Sequence, residues 1–393
     1  MKSKLFTFFL LAFLFVGLVQ AQDKGYVFTK VTDVPVTSVK NQFKSGTCWS
    51  FSGLSLIEAE VLRVKKKEVD LSDMWIVRHA YHDKAERYIR FHGSNNFGAG
   101  GAFHDVTNMI KKYGIVPEEI FKGLNYGTEG HVHGELDDVL KAYVDAVLKN
   151  SNKELSSAWL VGFDAILDAY FGPIPEKFTW EGKEYTPQSY AASLGIVPDD
   201  FIVLTSFTHA PFYKPFVLEL PDNWSHDMAY NVPLNDLEEI MDYALKNGYT
   251  VAWASDVSEK GFSWRNGIAI VPEVKLEDMG GTERERWEKL SASDREKEMY
   301  KFDKPVTEMK ITQENRQKGF DNHTTTDDHG MLFSGIYTDQ NGTKFYKVKN
   351  SWDVNNIYDG YFYASRAFVL YKTTDIMIHK DAIPKTIAKK LGL

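Results

Sequence analysis

Cysteine is almost absent from this chain, which contains Cys48 and no second residue of its kind. A single cysteine excludes any disulfide within the chain. A lone cysteine is either a small buried hydrophobic residue or a reactive thiol. Cys48 follows a Gly-Thr turn and precedes an amphipathic segment, which favours the reactive thiol. The choice between the two depends on whether catalytic partners occur elsewhere in the chain.

Excess positive charge, internal repeats and low-complexity tracts are also absent. The 46 lysine and arginine residues are outnumbered by 54 aspartate and glutamate residues, and the formal net charge at pH 7 is -8. Acidic proteins bind nucleic acids and anionic membranes poorly, so neither is expected as a partner. The length of 393 residues exceeds one simple core and predicts a main domain with elaborations.

One long apolar run, Leu5–Leu18, lies at the N-terminus. Two lysines precede it and the small-residue site Val19–Ala21 follows it, an arrangement typical of a secretory signal peptide. We therefore expect residues 1–21 to be cleaved and residues 22–393 to be exported to the periplasm or the extracellular space. An uncleaved anchor is the alternative. The run is short for a membrane span and no cysteine follows it, so no stable membrane anchor is expected.

The segment after Cys48 predicts a helix from about Cys48 to Arg63 that buries one face. Its apolar positions are Phe51, Leu54, Ile57, Ala59, Val61, Leu62 and Val64. Cys48 would lie in the first turn, where unpaired backbone N–H groups and the helix dipole favour a thiolate. We therefore expect the pKa of Cys48 to be lowered toward neutrality, as in a nucleophile.

Two further residues suited to catalysis flank a predicted β-hairpin. His329 precedes the apolar run Met331–Tyr337, and Asn350 ends the alternating strand Phe345–Lys349. The sequence Asp339–Gly342 between them is typical of a hairpin turn, which would place His329 and Asn350 side by side. With Cys48, these residues predict a catalytic triad.

These residues resemble the signature of the papain superfamily of cysteine peptidases and occur in the family's chain order. The matching segments are Gln42, Gly46–Trp49, Asp328–His329 and Asn350–Trp352. The long stretch between Cys48 and His329 more closely resembles the bleomycin hydrolase and bacterial aminopeptidase C branch. Similar segments extend over nearly all of residues 22–393.

Three positions depart from the family pattern. Ser45 replaces the first cysteine of the signature, Thr47 replaces a small residue, and Asp353 stands where the family usually has glycine. The lost cysteine fits a disulfide-free branch. Around Asp353 we expect a different turn and an extra carboxylate near the cleft.

The resemblance implies an α+β protein with the papain-like two-lobed fold. A helical lobe and an antiparallel β-barrel-like lobe would form one peptidase domain over residues 22–393, with a large, mainly helical insertion at about 121–310. Tyr26–Pro117 would supply the helical lobe and Thr312–Tyr371 the strand-rich lobe.

The resemblance also implies a role for each residue of the triad. His329 would take the proton of Cys48 and later protonate the leaving amine, and Asn350 would orient the imidazole. Trp352 would shield that hydrogen bond from water. Gln42 would donate to the oxyanion, together with the backbone N–H of Cys48.

Supporting and substrate-binding positions are assigned in the same way. Gly100 and Gly101 resemble the segment whose bare backbone pairs with an extended substrate, although such a pair also occurs in plain turns. Trp49 follows the nucleophile and would support the site. His131 and His133 suggest a metal site, but no cysteine or carboxylate at zinc-site spacing accompanies them. They are interpreted as a loop, and no metal or organic cofactor is expected.

The C-terminal segment bears on specificity. Pro384 suits the start of a final helix with Ile387 and Leu391 on one face. In the resembled branch, an arm after this helix enters the cleft and its terminal carboxylate binds the substrate's amino group. We expect no such arm in this protein, and therefore aminopeptidase action, endopeptidase action on blocked or internal bonds, or both. The alternative is that Lys389–Leu393 unwinds and serves as a shorter arm.

The sequence therefore predicts an exported thiol peptidase that acts on peptide substrates through an acyl-enzyme thioester. The resemblance also implies a homohexamer. The alternative is a non-catalytic peptide-binding or scaffolding homologue of the same fold. The intact set Gln42, Cys48, His329 and Asn350 argues against that alternative.

Overall fold

The computed structural model describes residues 25–273 and 280–393, so the predicted signal peptide, residues 1–21, lies outside it. The helices are α1 Cys48–Lys65, α2 Asp73–Arg90, α3 Phe103–Tyr113, α4 Gly134–Leu148, α5 Trp159–Phe171, α6 Pro187–Leu194, α7 Leu234–Lys246, α8 Gly281–Lys289, α9 Ala292–Met299, α10 Gln313–Asp321, α11 Arg366–Lys372 and α12 Lys385–Leu391. In these two described ranges, no helix combines the length and apolar character needed to cross a bilayer.

The strands are β1 Thr29–Asp33, β2 Phe178–Trp180, β3 Lys183–Tyr185, β4 Phe201–Thr205, β5 Pro215–Val217, β6 Met228–Asn231, β7 Val251–Ser255, β8 Phe262–Ser263, β9 Ile268–Ala269, β10 His329–Thr338, β11 Lys344–Lys349, β12 Tyr361–Ser365 and β13 Thr373–His379. Strands β2 and β3 pair with each other, and the rest form one sheet. Its order is β5-β6-β4-β13-β7-β10-β11-β12-β9-β8, and β1 also pairs with β10. Helices around a largely antiparallel sheet confirm the predicted α+β class.

Helix α1 is central to the molecule. It packs against α2 and α3 as well as against β7 and β10. The apolar pattern predicted one buried face, but every residue from Trp49 to Ala59 is buried, because neighbouring elements cover the helix on all sides. Close packing requires small residues here: a Cβ on Gly53 would lie 2.6 Å from Val106 of α3. The helix that carries Cys48 is therefore held rigidly.

The predicted hairpin is confirmed by β10 and β11, which pair antiparallel. In the turn, the Asp339 carboxylate accepts the backbone N–H groups of Asn341 and Thr343 at 2.9 and 2.8 Å. His329 begins β10 and Asn350 directly follows β11. The hairpin therefore brings His329 and Asn350 to the same end of the sheet.

The range 121–310, predicted as an insertion, supplies helices α4 to α9 and strands β2 to β9. Strand β4 pairs with β13, and β7 lies between β13 and β10. This range therefore also completes the main sheet beside the strand that carries His329. The boundaries of the insertion stay a prediction.

The C-terminal helix α12 agrees with its prediction. It begins directly after Pro384, and Ile387 and Leu391 are buried on its inner face. Lys390 is exposed and lies 3.4 Å from the Asp236 carboxylate at the start of α7. This ion pair and the apolar face attach the helix to the strand-rich half of the molecule.

Candidate active site

Cys48 is the first residue of α1 and is partly exposed on the wall of a cavity. The carbonyl of Thr47 accepts the backbone N–H groups of Ser50 and Phe51 at 2.9 and 3.3 Å, which starts the helix. The first N–H groups of a helix have no intrahelical acceptor. The N–H of Cys48 is therefore suited to hold a negatively charged oxygen. His329 lines the same cavity.

Gly330 allows β10 to lie close against α1 beside Cys48. A Cβ at this position would lie 2.6 Å from Ser52 Oγ and 3.4 Å from the carbonyl oxygen of Cys48. A larger residue would push the strand away from the helix. The sequence analysis did not single out this glycine, although its position directly after the histidine is visible in the sequence.

Asn350 orients the His329 imidazole. The Nε2 atom of His329 lies 2.7 Å from Asn350 Oδ1, and the same oxygen accepts the backbone N–H of Ser351 at 2.8 Å. An amide nitrogen cannot accept a backbone N–H, so the second bond fixes which atom of Asn350 is the oxygen. Nε2 therefore carries a hydrogen, and Nδ1 is the nitrogen that can accept a proton.

Trp352 covers this hydrogen bond. Its ring centroid lies 4.4 Å from that of His329, and the rings of Phe262 and Trp264 meet its edge or face at 5.9 and 5.5 Å. His329 and Asn350 are both buried. The aromatic group excludes water from the bond that fixes the imidazole.

Burial opposes ionisation of both Cys48 and His329. It raises the pKa of the Cys48 thiol to about 12 and lowers the pKa of the His329 imidazole to about 4. The N–H groups of Gly330 and Trp49 lower the pKa of Cys48, but burial outweighs them. The expectation of a Cys48 pKa near neutrality is therefore wrong for the resting site, because it considered the helix dipole and omitted the surrounding protein.

Gln42 is held by residues on both sides of the cleft. Its Nε2 donates to the Ser45 carbonyl at 2.8 Å, and its Oε1 accepts the Ser351 hydroxyl at 2.6 Å. The second hydrogen on Nε2 remains for another acceptor. Ser45 and Thr47, which depart from the family signature, hydrogen-bond to each other at 2.6 Å. Hydroxyl groups therefore order this loop without a cysteine.

The glycine pair lies at the cavity edge, where side chains do not fit. A Cβ on Gly101 would lie 2.8 Å from the Trp49 ring, and one on Gly100 would lie 1.9 Å from the Asp222 carboxylate. Gly101 lines the cavity and Gly100 lies beneath Asp222. Trp49 supports the segment through a 3.0 Å hydrogen bond from Nε1 to the Ala99 carbonyl.

Asp353 keeps the backbone conformation for which glycine is suited. Its φ is 65°, in the left-handed region. One carboxylate oxygen accepts the N–H of Val354 at 2.7 Å, and the other accepts the Asn41 amide at 3.3 Å. Asp353 does not line the cavity around Cys48. The expectation that this turn differs from that of the family stays a prediction.

The two histidines that suggested a metal site form part of the core. The rings of His131 and His133 lie 5.9 Å apart, and Phe51 and Phe171 pack against them. Burial lowers the pKa of each histidine to about 4. Among residues 25–273 and 280–393, no group of three or more histidine, cysteine or carboxylate side chains could hold a metal ion.

Three carboxylates that the sequence analysis missed line the same cavity as Cys48. They belong to Asp222, Asp327 and Asp375. Asp327 lies two residues before His329 and could have been noticed. Asp222 precedes β6 and Asp375 lies on β13, and only the sheet topology brings these distant positions together.

Comparison with known proteins agrees with this geometry. The sequence profile of the Peptidase C1-like family matches residues 18–292 and 281–392. The chain is 24% identical to Aminopeptidase G of Lactobacillus delbrueckii subsp. lactis, over 90% of this chain and 83% of that protein. It is 22% identical to Aminopeptidase C of the same organism, over 91% of this chain and 82% of that protein.

A solved structure shows the same fold. PepW from Lactobacillus rhamnosis HN001 superposes with a TM-score of 0.70 at 19% identity, over 93% of this chain and 84% of that chain. The papain-like architecture predicted from the sequence is therefore confirmed. Because the family profile matches nearly the whole chain, the protein belongs to the Peptidase C1-like family and is a cysteine-type peptidase of the bleomycin hydrolase and aminopeptidase C branch.

Proposed function

We propose that this peptidase hydrolyses peptide bonds with Cys48 as nucleophile, His329 as general base and acid, and Asn350 as the residue that orients the base. The observation that carries the proposal is the 2.7 Å hydrogen bond between His329 and Asn350, which leaves Nδ1 of His329 as the proton acceptor. Cys48 lines the same cavity.

Acylation begins with proton transfer. Nδ1 of His329 accepts the Cys48 proton as the sulfur attacks the carbonyl carbon of the scissile bond. Burial disfavours the charged form of each group, which opposes the charge separation in this step. The imidazolium then gives its proton to the leaving amine, and the C–N bond breaks. Cys48 is left as a thioester.

Deacylation reverses these proton transfers. Water attacks the thioester while His329 accepts a proton from it, and the imidazolium then returns that proton to the leaving thiolate. In both steps the developing oxyanion is stabilised by the backbone N–H of Cys48 and by the second hydrogen of Gln42 Nε2. One such donor contributes about 10²- to 10³-fold in rate.

For specificity, we propose aminopeptidase action that extends to blocked or internal bonds. Support comes from relatives that are named aminopeptidases. Peptide substrates would pair with the bare backbone at Gly100 and Gly101. Rates on matched peptides with free and acetylated amino ends measure the preference directly. A rate on the acetylated peptide more than about a hundredfold lower would indicate a strict aminopeptidase.

Export and assembly are further parts of the proposal. The apolar run at Leu5–Leu18 supports cleavage near Ala21 and export. Family membership supports a homohexamer. N-terminal sequencing of the mature protein and light scattering at micromolar concentration test these two points separately.

The triad is tested by substitution. Cys48→Ala should abolish hydrolysis, because the thiol is the sole nucleophile, while the fold and peptide binding remain. His329→Asn should reduce kcat to a similar extent, since it removes the base. Asn350→Ala should cost less, because Asn350 transfers no proton. Turnover by purified Cys48→Ala above background would overturn the proposal.

A matched control is available six residues from the base. His323 is exposed and has a φ of 57°, a conformation that asparagine tolerates. His323→Asn should therefore keep wild-type activity while His329→Asn loses it. Peptide binding without turnover in the wild-type protein would instead indicate the non-catalytic, peptide-binding homologue.

A further inference from the structure

The cavity that contains Cys48 has an acidic wall. Asp222, Asp327 and Asp375 line it together with the apolar residues Leu220 and Ala254. A fourth carboxylate, Asp328, also lines the cavity, but it accepts three hydrogen bonds from the neighbouring loops. The other three carboxylates come from separate parts of the chain: a loop before β6, the loop before β10, and strand β13. Asp375 is the deepest of them, with 5% of its surface exposed.

These carboxylates lack counter-charges. Within the described part of the chain, none of the three makes an ion pair within 4 Å, and Asp327 makes no hydrogen bond. Asp375 receives only the neighbouring Thr374 hydroxyl, at 3.3 Å on Oδ2, so Oδ1 is unpartnered. Asp222 accepts one bond from the Asn96 amide at 3.1 Å. The cavity wall therefore has carboxylate oxygens with unused acceptor capacity.

The cations nearest to this wall form their hydrogen bonds with other groups, although Arg316 Nη2 has no partner among the described residues. Lys84 donates to the carbonyls of Gly98 and Gly100. The guanidinium of Arg316 donates to the carbonyls of Ser206 and Leu370. A third neighbour, the His104 imidazole, hydrogen-bonds the Ser225 hydroxyl at 2.8 Å. These groups moderate the negative charge from a distance but leave the carboxylate oxygens facing the cavity.

Unpaired buried carboxylates are energetically unfavourable. Burial raises the pKa of Asp375 to about 6 and also raises the pKa values of Asp222 and Asp327. A positively charged group in the cavity would offset this penalty. A metal ion does not fit the arrangement, because no group of three or more potential ligands in the described residues could hold one.

We propose that Asp222, Asp327 and Asp375 form a specificity subsite that binds an ammonium or guanidinium group of the peptide substrate beside Cys48. The inference rests on the proposed peptidase function and names its substrate class. The cation has two sources in a peptide: the side chain of lysine or arginine, and the free α-amino group. Both would satisfy the same three carboxylates.

Substrate pairs distinguish these two sources. The first set consists of acetylated fluorogenic peptides in which one position near the scissile bond carries lysine or its neutral isostere norleucine. The second set consists of neutral peptides with a free or an acetylated amino end. We expect kcat/KM to be at least tenfold higher for the cationic member of at least one set. Equal rates within both sets would overturn the subsite while leaving the peptidase function intact.

Variants in which one cavity carboxylate is replaced by a neutral amide show which residues bind the cation. Asp375→Asn and the less buried Asp222→Asn should each reduce kcat/KM for the cationic substrate about tenfold and leave the neutral substrate within twofold. Asp138→Asn, an exposed carboxylate on α4, should change neither rate. Equal losses on both substrates would indicate a structural role and overturn the subsite. No cleavage of any peptide by the wild-type enzyme would instead contradict the peptidase function.

Discussion

Two groups of carboxylates, each with at least one buried member, differ in their pairing. At the first, Lys40 Nζ lies 3.0 Å from Glu58, 2.8 Å from Asp70 and 3.0 Å from Asp73. Glu58 also accepts the Thr37 hydroxyl at 2.6 Å. At the second, Asp222, Asp327 and Asp375 line the cavity of Cys48 without an ion pair within 4 Å in the described residues.

The difference in pairing indicates a structural role for the Lys40 group and a ligand-binding role for the cavity carboxylates. The Lys40 group connects the segment before the nucleophile to α1 and α2, and its charges satisfy one another. The cavity carboxylates have no such partner and face the space that a substrate would enter. Buried charge that is already paired holds the fold, whereas buried charge that is unpaired at a cavity indicates a ligand.

Removing Lys40 should have the largest effect on stability. Lys40→Met leaves Glu58 and Asp73 buried without their cation, and breaking a buried pair in this way costs about 3–5 kcal/mol. Urea unfolding in a Cys48→Ala background, which prevents self-digestion, measures the loss. Lys67→Met removes an exposed ion pair with Glu181 and should cost at most about 1 kcal/mol. Equal losses in the two variants would contradict the comparison.

The dependence of activity on pH tests whether Cys48 and His329, like the cavity carboxylates, are buried without a counter-charge. Burial lowers the pKa of His329 to about 4, and the base must be neutral to accept the Cys48 proton. Activity should therefore persist below pH 6.5 and be lost only as pH falls through about 4. The kcat/KM for a neutral substrate reports this limb on the free enzyme. An acid limb at or above pH 6.5 would contradict the lowered pKa of His329.

Neutralising a cavity carboxylate should affect stability in the opposite direction from Lys40→Met. The pKa of Asp375 is raised from 3.8 to about 6 by burial, so its ionisation weakens the fold above pH 6. Asp375→Asn should therefore stabilise the protein by up to about 3 kcal/mol at pH 8. The difference should disappear as pH falls from about 6 to 4. Unfolding midpoints at pH 8 and pH 4 give both values, and destabilisation at pH 8 would show that Asp375 is already paired.

The smallest expected effect concerns the exposed Asp353. Its left-handed backbone is unfavourable for a non-glycine residue, but its carboxylate hydrogen-bonds Val354 and Asn41. Asp353→Gly should relieve the strain and lose those bonds, for a net change within about 1 kcal/mol. Thermal unfolding measures it, and a loss above 2 kcal/mol would show that the carboxylate holds the turn.

The sequence predicted the local elements well where one signal dominated. The three- and four-residue spacing of apolar positions after Cys48 predicted α1, and the turn at Asp339–Gly342 predicted the β10–β11 hairpin. The complete burial of α1 could not be predicted, because strands distant in sequence cover its second face. The same limit applies to β7, whose pairing with β10 depends on the topology of the whole sheet.

In the active site, residues that are unique or close in sequence could be predicted, whereas residues that are distant in sequence could not. His329 and Asn350 were found because one hairpin joins them, and Cys48 because it is unique. The carboxylates at Asp222 and Asp375 were missed, since no local pattern links them. The directions in which burial shifts the pKa values of Cys48 and His329 were also missed, because desolvation depends on the surrounding cavity walls and a helix pattern does not describe them.

Covalent labelling tests the central claim, that Cys48 is a thiol activated by His329, most directly. A peptide vinyl sulfone should add one inhibitor mass to the wild-type protein, and because Cys48 is the only cysteine, intact mass spectrometry assigns the adduct without ambiguity. The His323→Asn control should label at the wild-type rate, and His329→Asn should label at least a hundredfold more slowly. Equal labelling rates for the two histidine variants, or no adduct on folded wild-type protein, would contradict the account.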